Sequence, residues 1–139
     1  MALSDLITRK PVTAKPKDSL AQVGALMERE NVGAIVITEG KRPVGIVTDR
    51  DLALAMSVHA KSLQEHVQNV MTAPVTTIGN QDGVFKATQL IMDRAVRRLP
   101  VVDKNGDLVG LLALDDLLLL LSRELQSMAE GVKAEATAA

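Results

Sequence analysis

The sequence predicts a mixed α/β (α+β) fold made of two successive β-α-β-β-α units. The first observation is a repeat: Pro43-Val-Gly-Ile-Val-Thr-Asp-Arg-Asp-Leu52 returns as Leu108-Val-Gly-Leu-Leu-Ala-Leu-Asp-Asp-Leu117, 65 residues later. Read at that offset from Ala25 to Leu52 without a gap, Met27/Met92, Arg29/Arg94, Val36/Val101, Val44/Val109, Gly45/Gly110, Asp51/Asp116 and Leu52/Leu117 are identical, where chance supplies about one or two matches. The second is size. At 139 residues the chain is one ordinary domain, able to bury about two thirds of its unfolded surface, whereas either half alone would be marginal. Two units sharing a core resolve that difficulty. The third is that helical and strand periodicity alternate in the same order in both units. Upstream, Pro11-Val-Thr13 answers Pro74-Val-Thr76 at an offset of 63, so a small indel falls before the first helix of each unit.

In the first unit, Leu20, Val23, Leu26 and Met27 share one helical face, with Ser19 or Asp18 as its cap. Ala34 to Thr38 and Val44 to Val47 flank a glycine-containing loop and read as a hairpin. A second helix follows from Thr48 through Leu52, Leu54 and Met56. The second unit repeats this order: a helix over 84–95, a strand over 99–102, an Asp-Lys-Asn-Gly turn, a strand over 108–112 and a longer helix from about Asp115. The units span 5–57 and 70–122, joined by a polar linker over 58–69 in which Leu63 and Val67 are spaced to touch the body through one or two helical turns. Residues 123–139 form a helical extension and a flexible tail that frays beyond Glu130. Leu117 to Leu121 makes the last helix apolar all round for more than a turn, so it must be buried on several sides, in this chain's core or against a second copy.

Composition excludes several functions. Apolar residues make up 47% of the chain, but Phe85 is the only aromatic residue, so a planar ligand must be held by aliphatic side chains and single-stranded nucleic acid has no stacking platform. A formal charge of −1 provides no field for nucleic acid or an anionic membrane. The absence of cysteine removes disulfides, thiol nucleophiles and thiolate metal sites. The first ten residues hold no apolar signal core, and the apolar stretch from Leu108 to Leu121 is broken by Asp115 and Asp116 before reaching the roughly 20 residues of a spanning helix. These features point to a cytoplasmic protein that binds neither nucleic acid nor membrane.

Catalysis lacks its parts. The two histidines, His59 and His66, lie in the linker and read as solvated side chains rather than as a metal site, and neither a phosphate-cradling glycine loop nor a dinucleotide fingerprint is present. The chain is therefore not read as an enzyme. The informative segment is Gly45-Ile-Val-Thr-Asp-Arg-Asp51, where a strand runs into a helix. Thr48 and Asp51 have the form of a capping box, worth about 1 kcal/mol as structure alone. The same geometry suits a ligand: helix amides and the Thr48 hydroxyl for an anion, and the Asp51 carboxylate for a vicinal diol. The second copy reads Ala113-Leu-Asp-Asp116, which keeps the carboxylate, loses the hydroxyl and places Asp115 where the first has Arg50. On this reading the first site accepts a phosphate better than the second. Arg97-Arg98-Leu99-Pro100, read as matching Val32-Gly33 in the first unit, are either exposed strand-edge charges or phosphate ligands at the seam between units.

The doubled β-α-β-β-α order, the Gly-Ile-Val-Thr-Asp-Arg-Asp51 box and Arg97-Arg98-Leu-Pro-Val-Val102 strongly resemble a cystathionine-β-synthase (CBS) domain pair, or Bateman module, over about residues 5 to 122. The resemblance implies two repeats packed sheet to sheet about a pseudo-twofold axis, with two clefts for adenine nucleotides or other adenosyl ligands. It implies Asp51 and Asp116 as ribose ligands and Thr48 as the phosphate-side hydroxyl. Each cleft borrows from the other repeat: Thr72, Val75 and Val96 for Asp51, and Pro11, Val12, Thr13 and Val32 for Asp116. Arg97 and Arg98 match phosphate-binding positions of either cleft, and Ala113 and Asp115 depart from the pattern. The implied activity is that of a stand-alone regulatory sensor with no catalytic cofactor, which binds an AMP, ADP or ATP-class ligand, forms a homodimer and signals to a regulated protein. The alternatives are a sensor of S-adenosylmethionine or NAD and a ligand-independent dimerisation module with vestigial clefts.

Overall fold

The computed structural model describes residues 3–7 and 10–138; Thr8 and Arg9 of the expected first unit, and the terminal Ala139, lie outside them. The first repeat comprises β1 (Thr13–Ala14), α1 (Leu20–Glu30), β2 (Ala34–Glu39), β3 (Arg42–Thr48) and α2 (Asp49–Ser57). The second comprises β4 (Ile78–Gly79), α3 (Val84–Arg94), β5 (Arg98–Val102), β6 (Leu108–Ala113) and α4 (Leu114–Ala138). In each, a short strand pairs parallel with the first strand of an antiparallel hairpin, giving two three-stranded sheets of order β1-β2-β3 and β4-β5-β6. None of the helices among the described residues is long and apolar enough to cross a membrane.

Local chemistry accounts for the boundaries. Ser19 starts α1 with a capping box: Gln22 N–H donates to Ser19 Oγ at 3.1 Å and Ser19 N–H donates to Gln22 Oε1 at 2.8 Å. The tight β2–β3 turn uses Gly40 at φ 61, a left-handed conformation that costs glycine nothing.

The two repeats do not share one core. Each has its own cluster, one around Val23, Met27, Ile35, Ile37 and Val47, the other around Ala87, Ile91, Leu99, Val101 and Leu112. Each cluster is completed by the segment leading into the other repeat. A 3-10 turn over Leu3–Asp5 puts Leu3 into the second core, and a 3-10 turn over Val67–Asn69 puts Val67 into the first. The hydrogen bonds correspond pair by pair: Leu3 N–H to Asp82 O (3.1 Å) and Ser4 N–H to Asn80 O (3.0 Å) on one side, Val67 N–H to Asp18 O (2.8 Å) and Gln68 N–H to Pro16 O (3.0 Å) on the other. This reciprocal exchange relates the repeats as a pseudo-twofold does. It answers the size problem by mutual completion rather than by a common core.

The exchange also corrects the repeat register. Val23 corresponds to Ala87 and Met27 to Ile91, both 64 residues on, since these are the buried positions of α1 and α3. Met92, matched to Met27 by identity, is 79% exposed against 7%. The offset is 64 from the N-terminal segment through β2 and becomes 65 from β3 onward, with the extra residue in the longer turn between β5 and β6. A surface turn absorbs one residue at little cost, whereas a one-residue slip in a helix or strand turns its apolar face outward.

The linker departs from expectation as well. Of Leu63 and Val67 only Val67 is buried, while Leu63 is exposed and belongs to no helical turn. The last helix differs more. Leu117 alone of Leu117 to Leu121 is buried; Leu118, Leu119 and Leu121 are exposed, so this turn is not a core helix of the single chain. Beyond Glu130, where fraying was expected, α4 continues to Ala138, in keeping with the helix propensity of its Ala, Lys and Glu residues.

Candidate functional site

The first candidate cleft begins at the β3–α2 junction. Thr48 is the N-cap of α2 with extended backbone; Asp51 N–H donates to Thr48 Oγ1 at 3.2 Å, and Thr48 N–H donates to Asp51 Oδ2 at 2.9 Å. This reciprocal box occupies one oxygen of the half-buried Asp51 carboxylate and fixes its direction. Thr72 is brought alongside: Ile46 and Thr72 exchange backbone hydrogen bonds of 3.2 and 2.9 Å, two residues upstream of Thr48 on β3. Val75 and Val96 are half-buried, and Val96 packs against the second core. Thr72, Val75 and Val96 do not line the cavity that Asp51 borders. Asp51 instead lines a pocket of about 310 Å³ with Leu54, Ala55, His59, Lys61, Asn69 and Val70. Arg50 is exposed on the first turn of α2.

The second cleft is assembled more fully. Pro11, Val12 and Val32 of the first repeat form one wall of a cavity of about 240 Å³, and Arg98 and Leu111 of the second repeat lie across from them. Lys10 adds a second cation at the same mouth. Alternation along β6 puts Ala113 on the same face as Leu111, and Asp116 follows on the first turn of α4, its Oδ2 accepting from Ala113 N–H at 3.2 Å; Asp116 is exposed, and neither it nor Ala113 lines the cavity itself. The carboxylate is thus held as Asp51 is, without the hydroxyl half of the box. Thr13 lies outside this cleft; it lines neighbouring cavities with Thr38 and Gly40. Lys10 and Leu111 were missed from sequence, although Lys10 adjoins Pro11 and Leu111 lies inside the repeated segment.

The two arginines separate. Arg98 opens β5 and faces the second cleft, whereas Arg97 Nη2 lies 3.7 Å from Asp115 Oδ1, both side chains largely exposed. Such a solvated pair contributes little stability. In the strand ladders, Arg98 is the partner of Ala113, and Ala34 is the partner of Thr48. The counterparts of Arg97 and Arg98 are therefore Gly33 and Ala34, one residue later than the identity-based register gives. One cleft has a hydroxyl opposite a methyl group; the other has a methyl group opposite a guanidinium. Among the described residues no group of three or more His, Asp or Glu side chains could hold a metal ion.

Comparison with known proteins places this architecture. The family model described as CBS domain matches residues 3–58 and 67–123. The CBS domain-containing protein YhcV of Bacillus subtilis is 34% identical over 116 residues, covering 84% of this chain and 82% of the relative. An uncharacterized protein of Methanopyrus kandleri is 31% identical over 120 residues, and the matched region covers 85% of this chain but only 61% of that protein's length. Among solved structures, a CBS domain protein from Pyrobaculum aerophilum complexed with AMP superposes with a TM-score of 0.78 at 29% identity, covering 88% of this chain and 99% of the other. With both repeats matched and the order of elements shared, the chain belongs to the CBS domain family.

Proposed function

We propose that the protein is a regulatory module that binds an adenosine-containing nucleotide of the AMP, ADP or ATP class between its repeats and signals by changing their relative orientation. The observation that carries this reading is the second cleft: Pro11, Val12 and Val32 of one repeat facing Arg98 of the other. Aliphatic walls suit a purine where the chain offers no aromatic ring near it, and the guanidinium suits the phosphate. Asp116, fixed by its bond to the Ala113 amide, is the ribose ligand. The AMP held by the Pyrobaculum protein supports the ligand class. A ligand spanning the two walls acts on both repeats at once, which is what a population shift between two orientations requires. The Asp51 box with Thr48 supplies the corresponding carboxylate, with a hydroxyl, in the first repeat.

The module acts in the cytoplasm as a homodimer, with the exposed apolar residues Phe85 and Met92 of α3 and Leu118 and Leu119 of α4 as dimer surface, and it passes its state to a regulated protein without catalysing a reaction. A thermal-shift series with AMP, ADP, ATP, S-adenosylmethionine and NAD tests the ligand. Saturation at 100 times the dissociation constant adds about 2.7 kcal/mol of stability, a shift of several degrees for a chain of this size. A shift with S-adenosylmethionine or NAD alone would change the ligand class, and none at all would leave a ligand-independent dimerisation module.

A further inference from the structure

Helix α4 is 25 residues long and leaves the body after its first turns; every residue from Leu121 to Ala138 is exposed. Along it, Leu118, Leu121, Leu125, Met128 and Val132 recur at spacings of three and four, and they are 56%, 42%, 67%, 67% and 69% exposed. This is the narrow seam of a coiled coil, with Leu118, Leu125 and Val132 at one of its two core positions and Leu121 and Met128 at the other, not the broader stripe of a helix facing a globular core. Nothing among the described residues covers it. Two heptads span about 21 Å, and helices in proteins draw most of their stability from packing an apolar face rather than from propensity, so the extension gains from a partner.

Chemistry selects the partner. The flanks of the seam carry Ser122, Glu124, Ala129 and Gly131, three of them small enough to let a second helix approach closely, while Arg123, Gln126, Glu130 and Lys133 lie away from it. Two basic and three acidic residues follow Leu121, so each extension carries a charge of only −1 and two copies repel weakly, and the polar face lacks the Lys and Arg excess of a membrane-surface helix. An a/d seam is complementary to its own copy. We infer that the α4 extensions of two chains pair in parallel as a short coiled coil. The parallel sense follows from symmetry: the seam begins at Leu118, on the body surface proposed above for the dimer, so both helices depart from the twofold axis side by side. The inference rests on that homodimer reading and deepens it. It also gives the ligand an output, because α4 starts at the turn carrying Asp115 and Asp116, and a shift of that turn moves the pair of helices as a unit.

The chain has no cysteine, so single cysteines report cleanly. Met128→Cys at the seam and Ser127→Cys beside it are introduced separately into the full chain, oxidised mildly and resolved without reductant, with sedimentation of the unmodified protein in parallel. The inference predicts a dimeric wild type, near-complete disulfide-linked dimer for Met128→Cys, and at least tenfold less for Ser127→Cys. A dimeric wild type with equal or no cross-linking of the two variants overturns the seam and leaves the body dimer standing. A monomeric wild type overturns the homodimer reading itself.

Discussion

Arg98 stands directly across the β5–β6 ladder from Ala113, the position occupied in the first repeat by Thr48. Side chains of directly opposed residues on one face start about 5 Å apart, so the methyl group of Ala113 leaves the space into which a guanidinium can extend toward the cleft. The hydroxyl lost from the second box and the cation gained across from it are parts of one substitution pattern. From the box alone the first site looked better suited to phosphate; the ladder gives the second cleft its own phosphate-binding group.

Replacement of the two arginines should therefore have unequal effects. Loss of a hydrogen bond to a charged group costs about 1.5–3 kcal/mol, so Arg98→Ala should weaken AMP binding by roughly tenfold or more. Arg97→Ala, whose side chain pairs with the exposed Asp115, should change it by less than about threefold. Calorimetric titration of the two variants separates these effects.

The capping difference predicts opposite stability changes in the two repeats. Thr48→Ala removes the acceptor of the Asp51 amide and should cost about 1 kcal/mol, while Ala113→Ser completes the second box and should add about 0.5–1 kcal/mol. Urea unfolding of each variant without ligand reads both.

Gly45 and Gly110 answer each other because of the exchanged segments. A Cβ on Gly45 would strike Met71 Sδ, and one on Gly110 would strike Ile7 Cγ2. Gly45→Val should destabilise by about 1–3 kcal/mol through overpacking, and Met71→Ala in the same chain should recover part of that loss. Gly110→Val should cost more, because Ile7 is β-branched and less able to move aside. A double-mutant cycle on the first pair, by denaturant unfolding, measures the coupling.

Acid should weaken the second repeat's exchanged contact. Lys86, hydrogen-bonded to the Asp82 carboxylate, and then the Gly79 N–H hold its pKa below the ordinary 3.8. A lowered folded-state pKa contributes stability that is present above pH 3.8 and is lost as pH falls through the lowered value. The Asp82 carbonyl also accepts from Leu3 N–H. Asp82→Asn should lower stability near neutrality and close the gap to the wild type as pH falls below 3.8, as followed by thermal unfolding across pH.

How much of this was legible in the sequence depended on whether a pattern is local. The helix starts at Ser19 and Thr48 and the two hairpins follow from caps, periodicity and turn residues, and the structure has them. Identity alone misled where facing mattered: Met27/Met92 matched letters but not sides of a helix, and that single slip also misaligned Arg98 with Gly33 in place of Ala34. The exchange of Leu3 and Val67 is a long-range relation with no periodic signature in three-residue turns. The seam on α4 was partly visible as the Leu117 to Leu121 run, but its continuation to Val132 required knowing that the helix persists past Glu130.

The most direct test is a crystal structure of the full chain grown with AMP. The account predicts the nucleotide between Pro11, Val12 and Val32 on one side and Arg98 on the other, with its ribose hydroxyls at Asp116 and its phosphate at the guanidinium. An empty cleft at saturating AMP, or AMP bound only in the pocket of Asp51, His59 and Lys61, would contradict it.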